Sequence, residues 1–338
     1  MPNDRILPQI EHFVVLMLEN RSLDAACGWL YEHDRPNRVL GRDLGRPYDG
    51  LRAGAYSNRF KRNLGGIETH PVAKVPRGNL KLPSLNPNEE YTSTNNQLYG
   101  DAERPVYATP PAGTPARMQG FLQDYYGLGL LTQNPEEILL CYTPEGLPVL
   151  NGLAKGYAIS DRWFSSVPTQ TNPNRAFFAC GTSLGRESNL KLTAEETFNH
   201  ETVWNALSRR RVEWTIYFHE EFPAGSGKCY TQNTFPFINS ARNPSGRKRF
   251  AWIDEFWADA PAGRLPPFTF LEPKWSYGIG GPFVRQGNDY HPPAGVGPAE
   301  TLVQRVYEAL TRNPEAWKKT LLVLTFDEHG GTYDHVPP

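Results

Sequence analysis

Cysteine is scarce in this chain: four in 338 residues, at Cys27, Cys141, Cys180 and Cys229, with no C-x-x-C pair. That spacing excludes a cysteine zinc site of the usual kind and favours reduced, packed thiols, although an even count permits two bridges. Long apolar runs are missing as well. Nothing approaches the roughly 18 consecutive apolar residues that a membrane span requires. The first residues, Met1-Pro-Asn-Asp-Arg-Ile-Leu7, lack the basic and apolar regions of a secretory leader. The default location is therefore the cytoplasm, with signal-independent secretion left open. Surplus charge is absent too, with 35 Lys and Arg against 36 Asp and Glu and a pI near 6.7. Such a balance gives no footprint for nucleic acid and no polybasic patch for an anionic membrane. There are no internal repeats and no low-complexity tracts.

The composition that remains is 39% hydrophobic and 21% charged, with 31 prolines and 30 glycines. It describes a globular chain with long ordered loops, read here as one domain over residues 1–338. The most informative stretch is the last, Thr320-Leu-Leu-Val-Leu-Thr-Phe-Asp-Glu-His-Gly-Gly-Thr-Tyr-Asp-His-Val336. Its apolar part has strand length, and an unbroken apolar run suits a strand buried on both faces of a parallel sheet. It stops on Asp327-Glu328, and Gly330-Gly331 then forces a turn. Near the start, Ile10 to Leu18 is a second apolar strand, ending on Glu19-Asn20. Either polar pair alone is an ordinary cap or a solvated turn. At the carboxyl ends of two neighbouring strands, where open α/β sheets bind ligands, Glu19, Asn20, Asp327 and Glu328 would form a hard oxygen site for one divalent cation. Oxygen ligands suit Mg, Ca or Mn, and zinc also accepts carboxylates.

Helical patterns are expected over residues 21–31, 120–126, 147–155, 202–211 and 300–312, and further strands over 157–161, 213–218 and 268–271. Residues 32–119 and 220–297 read as loop-rich insertions over the active face, with a possible hairpin within 222–250. The alternation of strands and helices predicts an α/β fold, a mainly parallel sheet sandwiched by helices.

Four stretches carry a resemblance: Leu16 to Asp24, Thr171-Asn-Pro-Asn-Arg175 with Gly181-Thr-Ser-Leu-Gly185, His291-Pro-Pro293, and Phe326 to Pro338. In these, and in their order, the chain resembles the bacterial phosphoesterase family that includes acid phosphatases and non-specific phospholipases C. The resemblance implies an alkaline-phosphatase-like fold and metal-dependent hydrolysis of a phosphomonoester or a phosphodiester such as a phospholipid head group. It implies that Glu19, Asn20, Asp327 and Glu328 ligate the metal, and that Thr171 is the nucleophile of a covalent phosphothreonine. Asn174 would hydrogen-bond a phosphoryl oxygen, and His291 would protonate the leaving group. A hydroxyl needs such activation near neutral pH, and a helix start favours an anionic phosphate. An N-capping role for Thr171 and a surface role for His291 are the plain alternatives. His329, His335 and His219 are secondary candidates. Tyr48, Tyr91, Tyr99, Trp275, Tyr277 and Tyr290 are candidates for a choline cage, with ordinary packing as the alternative.

The chain departs from that family in two places. The loop matching residues 86–100, where many relatives carry a phosphate-facing histidine, has Glu89 and Glu90 instead. Relatives also continue past Val-Pro-Pro, so a C-terminal part of the fold is expected to be missing, or a second chain to complete the sheet. A catalytically silent binding protein is the alternative function.

Overall fold

In the computed structural model, residues 9–40, 46–62, 65–129, 134–189, 198–280 and 283–338 are described. The chain begins with β1 (His12–Leu18) and α1 (Leu23–Cys27), then β2 (Ser57–Lys61), β3 (Ile67–Pro71) and β4 (Ala73–Lys74). Next come α2 (Tyr91–Tyr99), α3 (Phe121–Tyr126), β5 (Leu140–Cys141), α4 (Pro148–Gly156), α5 (Thr171–Cys180) and α6 (Val203–Arg209). The remainder is β6 (Trp214–Phe218), α7 (Tyr230–Thr234), β7 (Phe250–Trp252), α8 (Ile253–Asp259), β8 (Phe268–Leu271) and the antiparallel β9 (Tyr277–Gly280) and β10 (Phe283–Arg285). Last are α9 (Gly297–Thr311), α10 (Pro314–Trp317) and β11 (Thr320–Phe326).

Five of these strands form one sheet in the order β11-β1-β8-β6-β7, and every pairing in it is parallel. Helices pack on both faces, so the fold is a mixed α/β architecture with a parallel core. The alternation along β1 shows how the sequence builds it. Val14, Leu16 and Leu18 point to one side, into a cluster with Leu302, Val306 and Leu310 of α9 and Phe256 of α8. Val15 and Met17 point to the other, against Ala176 and Ala179 of α5 and Trp204 of α6. Each fully buried aliphatic side chain contributes about 1.5–3 kcal/mol, and truncating one such as Leu16 to alanine costs about 2–5 kcal/mol.

The described residues of the 32–119 stretch carry more regular structure than their composition suggests. The antiparallel β2–β3 pair and helices α2 and α3 gather a third apolar cluster around Phe60, Phe121, Leu122 and Tyr125, which also takes in Tyr333. The segment that ends in the acidic turn is thereby clamped from above.

Several expectations are corrected. β11 is not buried on both faces. It is the edge strand of the sheet, and all seven residues are only half-buried. Residues 157–161 form no strand, because Tyr157 and its neighbours lie exposed without a pairing partner among the described residues. Instead of a hairpin, residues 222–250 hold α7 and a 3₁₀ turn at Pro236–Ser240. Helix α5 starts at Thr171, earlier than its apolar run, because Pro173 is tolerated in a first turn.

Candidate active site

The parallel register pairs Leu18 with Phe326, which puts Glu19 and Asp327 side by side at the carboxyl ends of β1 and β11. The Asp327 N–H donates to the Leu18 carbonyl at 3.2 Å, and the Asn20 N–H donates to Asp327 Oδ1 at 3.2 Å. Asn20 makes the turn with φ of 54°, a left-handed conformation that asparagine accepts more readily than most residues. On the other strand, Asp327 Oδ1 accepts from the Glu328 N–H at 2.8 Å and Glu328 Oε2 from the Gly330 N–H at 2.6 Å. The two glycines are required here. Both have positive φ, and a Cβ on Gly330 would lie 2.4 Å from the Asn20 carbonyl oxygen, as one on Gly331 would from that of Asn88. Ser22 then locks α1 to the C-terminal turn, its N–H donating to Thr332 Oγ1 at 2.9 Å and its hydroxyl to the Tyr333 carbonyl at 2.5 Å.

More acid than expected converges on this point. Glu89, from the loop before α2, accepts from Asn20 Nδ2, and Asp289 supplies the carbonyl that binds the Glu19 N–H at 2.8 Å. Glu19, Glu89, Asp289, Asp327 and Glu328 are all buried. Burial, then the neighbouring carboxylates, hold Asp327 and Glu328 well above the usual carboxylate range. Burial likewise lifts Glu89 to about 7. Glu19 alone is lowered: burial opposes its charge, but the Arg175 guanidinium and His291 outweigh it.

Two side chains provide the positive charge. Arg175 reaches across from α5, its Nη2 2.9 Å from Glu19 Oε1 and its Nε 3.1 Å from Asp327 Oδ2. Its guanidinium lies 4.7 Å from the Trp275 ring centroid and 5.7 Å from that of Tyr230. His291 sits with Nδ1 3.1 Å from Glu19 Oε2 and Nε2 3.1 Å from Asn86 Oδ1.

Thr171 is the first residue of α5 and buried, four positions before Arg175. That spacing puts both on one helix face, and helical side chains lean toward the N-terminus, so Arg175 leans back toward Thr171. Asn174 is placed differently from expectation. Its Oδ1 accepts from the Val167 N–H at 3.0 Å, and its Nδ2 donates to the carbonyls of Val167, Thr169 and Gln170. The amide is fully occupied in shaping the turn that delivers Thr171.

The other histidines divide by partner. His329 Nε2 is 2.8 Å from Gln97 Oε1, and burial lowers its pKa to about 4. His219 Nδ1 donates to the Glu272 carbonyl at 2.8 Å, at the carboxyl end of β8, while His335 pairs with Asp24. Three of the six candidate cage aromatics are engaged elsewhere: Trp275 covers Arg175, Tyr290 bonds Glu300, and Tyr48 bonds the Cys27 carbonyl. Arg175 and Asp289 are the members of this cluster that sequence reasoning missed, whereas Glu89 stood out there only as a departure from the family pattern. Arg175 stands one residue after Asn174 in the same motif, which was the available signal.

The donor set fits a cation. Two buried oxygens in the cluster, Asn20 Oδ1 and Glu328 Oε1, have no hydrogen-bond partner among the described residues. Both belong to the four residues singled out as ligands, and an unsatisfied buried polar atom calls for a missing partner such as an ion or water.

The parallel α/β sheet carries a buried acidic centre at the carboxyl ends of β1 and β11, the place where open α/β sheets bind their ligands. The chain belongs to the Phosphoesterase family, whose profile matches residues 10–338. It is 30% identical over 328 residues to non-specific phospholipase C6 of Arabidopsis thaliana, covering 97% of this chain and 54% of that protein. Over 334 residues it is 30% identical to non-specific phospholipase C5 of the same plant, covering 97% and 57%. It is also 26% identical over 224 residues to the non-hemolytic phospholipase C of Burkholderia pseudomallei, covering 57% and 30%. The chain thus spans about half the length of the curated plant relatives it matches.

Proposed function

We propose that this chain is a metal-dependent phosphoric-ester hydrolase that uses Thr171 as its nucleophile. The observation that carries the reading is the meeting of Glu19, Asn20, Asp327 and Glu328 at two adjacent strand ends, with two of their buried oxygens unpartnered. A divalent cation held by these four would supply positive charge to the phosphoryl oxygens and favour the ionised form of a nearby hydroxyl. Mg, Ca, Mn and Zn all suit the donor set.

The chain's own groups do the rest. Thr171 Oγ1 attacks phosphorus in line with the leaving oxygen and becomes a phosphothreonine. The Thr171 hydroxyl gives its proton to solvent as it attacks, and His291, whose Nδ1 faces Glu19, uses Nε2 to protonate the leaving oxygen. Nε2 then takes a proton from the attacking water as the Thr171 Oγ1–P bond breaks, and Thr171 is reprotonated. Arg175 keeps the Glu19 and Asp327 carboxylates fixed, which supplies the preorganisation on which such catalysis depends. Asn174 holds the turn of residues 167–170. A direct contact to a phosphoryl oxygen, as the resemblance implies, would require it to release one of its carbonyl partners.

The preferred substrate is a phosphodiester of a phospholipid head group, with a phosphomonoester second. The names of the relatives support this, and so does Glu89: a buried carboxylate repels a phosphomonoester dianion more than a diester monoanion. We further read the chain as one alkaline-phosphatase-like domain whose open β11 edge pairs with additional polypeptide, a sheet edge being a template for another strand.

The test is hydrolysis of p-nitrophenyl phosphorylcholine and p-nitrophenyl phosphate with added divalent metal, before and after chelation. Turnover that vanishes with EDTA and in Thr171→Ala, together with a trapped phosphopeptide containing Thr171, supports the reading. Activity that survives Thr171→Ala would sink the nucleophile assignment, and no activity with any metal favours a silent binding protein.

A further inference from the structure

The two ends of the chain meet a second time beyond Glu19 and Asp327. Asp24, in the first turn of α1, faces Asp334 and His335 of the C-terminal segment. Asp24 Oδ2 accepts from the His335 backbone N–H at 2.7 Å and lies 2.7 Å from His335 Nδ1. Asp334 accepts from the Asp24 N–H at 3.3 Å through Oδ2 and from the Val336 N–H at 2.9 Å through Oδ1. Among the described residues, neither aspartate has a lysine or arginine partner, and the His335 imidazole faces Asp24. We propose that Asp24, Asp334 and His335 hold a second divalent cation, of the zinc or manganese class, separate from the one assigned to Glu19, Asn20, Asp327 and Glu328.

Four independent features support it. First, Asp24 is fully buried, yet its Oδ1 has no hydrogen-bond partner among the described residues. A buried carboxylate oxygen left bare is costly, and a cation in the cluster removes that cost. Second, one ligand atom from each of the three residues lies within 4.8 Å of the other two. Ligand atoms around a tetrahedral cation at a bond length of about 2.1 Å stand about 3.4 Å apart, so the three side chains close the site by drawing inward. Third, the outer nitrogen of His335 is held as metal-bound imidazoles usually are. Its Nε2 is 3.3 Å from Asp49 Oδ1, and Asp49 Oδ2 is itself fixed by Arg46 at 3.2 Å and Arg162 at 2.6 Å. A carboxylate on the second ring nitrogen sets the tautomer and raises ligand basicity. Fourth, there is a route in: Asp334, Val336 and Pro338 line a cavity of about 840 Å³ that runs along β11.

One imidazole with two carboxylates is a mixed nitrogen–oxygen set, which zinc and manganese accept and which calcium and magnesium disfavour. A cation there would cross-link α1 to the C-terminal turn, and so fix the spacing of Glu19 and Asp327 from behind.

The test is a Mn²⁺ titration of the full chain, with free Mn²⁺ counted by electron paramagnetic resonance and the His335 ring protons followed by NMR. Wild type is expected to bind two equivalents, and Glu328→Gln and Asp334→Asn one each. In Glu328→Gln, sub-stoichiometric Mn²⁺ should broaden the His335 ring signals, a readout that needs no change to the second cluster and so stands even where Asp334→Asn fails to fold. Unchanged stoichiometry in Asp334→Asn, or His335 signals that stay sharp, overturns the proposal and leaves an Asp24–His335 ion pair with water on Oδ1. One equivalent in both wild type and Glu328→Gln, lost only in Asp334→Asn, supports this second site while sinking the first.

Discussion

Arg175 Nη2 stands 2.9 Å from Glu19 Oε1, and both side chains are almost wholly withdrawn from solvent. Without a metal this guanidinium and His291 are the positive charges facing five buried carboxyl groups. Removing one partner of a buried pair leaves an uncompensated charge and costs about 3–5 kcal/mol. Arg175→Ala is therefore expected to destabilise the metal-free chain by about that much. Urea unfolding in EDTA measures it, and added divalent cation should recover part of the loss by neutralising the same carboxylates. A variant as stable as wild type in EDTA would show that Glu19 and Asp327 manage their charges without Arg175.

Glu89 orients Asn20. Its Oε2 accepts from Asn20 Nδ2, which leaves Asn20 Oδ1 turned the other way, without a partner among the described residues. Glu89→Gln retains an accepting oxygen and should keep most cation affinity, whereas Glu89→Ala frees the amide. A loss of about 10-fold or more, the scale of orienting partners at metal sites, is expected for alanine by calorimetric titration. Equal affinities for the two variants would contradict this role.

His291 contributes to the pH dependence of the metal-free state. Burial opposes its charge, yet the hydrogen bond to Glu19 and the charges of Glu89, Glu19 and Asp289 prevail and raise its pKa to about 9. A raised histidine pKa stabilises the fold fully below the unfolded value of about 6.5, and that stability drains away as pH climbs through 9. NMR titration of the imidazole in EDTA should show the elevated value. Divalent cation, by cancelling the carboxylate charges, should bring it down, and a pKa that cation leaves unmoved would place the metal elsewhere.

Thr171→Ser keeps a hydroxyl at the start of α5 and should retain measurable turnover. Thr171→Ala should lower kcat by at least about 1000-fold while KM changes little, since the lost interaction exists only in the transition state. Thermal unfolding of both variants should stay near wild type, because the N-cap of α5 is Gln170 and neither substitution removes a cap.

The convergence of Glu19 and Asp327 was legible in the sequence because both follow apolar runs that only a parallel sheet can bury side by side. Other features were not. A mid-helix arginine such as Arg175 is ordinarily a surface residue, and its burial depends on Trp275, from a distant loop, and Tyr230, from the start of α7. The loop around Glu89 has no periodicity, so its entry into the site follows from packing between α2, α3 and Tyr333 rather than from local pattern. The edge position of β11 was hidden for a related reason: an apolar strand looks the same whether its second neighbour is present or not. The engagement of Asn174 with residues 167–170 is likewise a matter of three-dimensional closure, invisible in the motif itself.

The half-buried residues of β11 bear on handling as much as on architecture. Among the described residues no strand pairs with the outer side of β11, and such a row of free peptide groups, seven residues long, is a template for an extended segment. When molecules are crowded, that segment can come from an identical neighbour, and stacking of this kind propagates. Yield on expression should accordingly fall with concentration faster than the packing of the interior would suggest, and a lysine placed outward on that border should slow the loss without touching the cation centre.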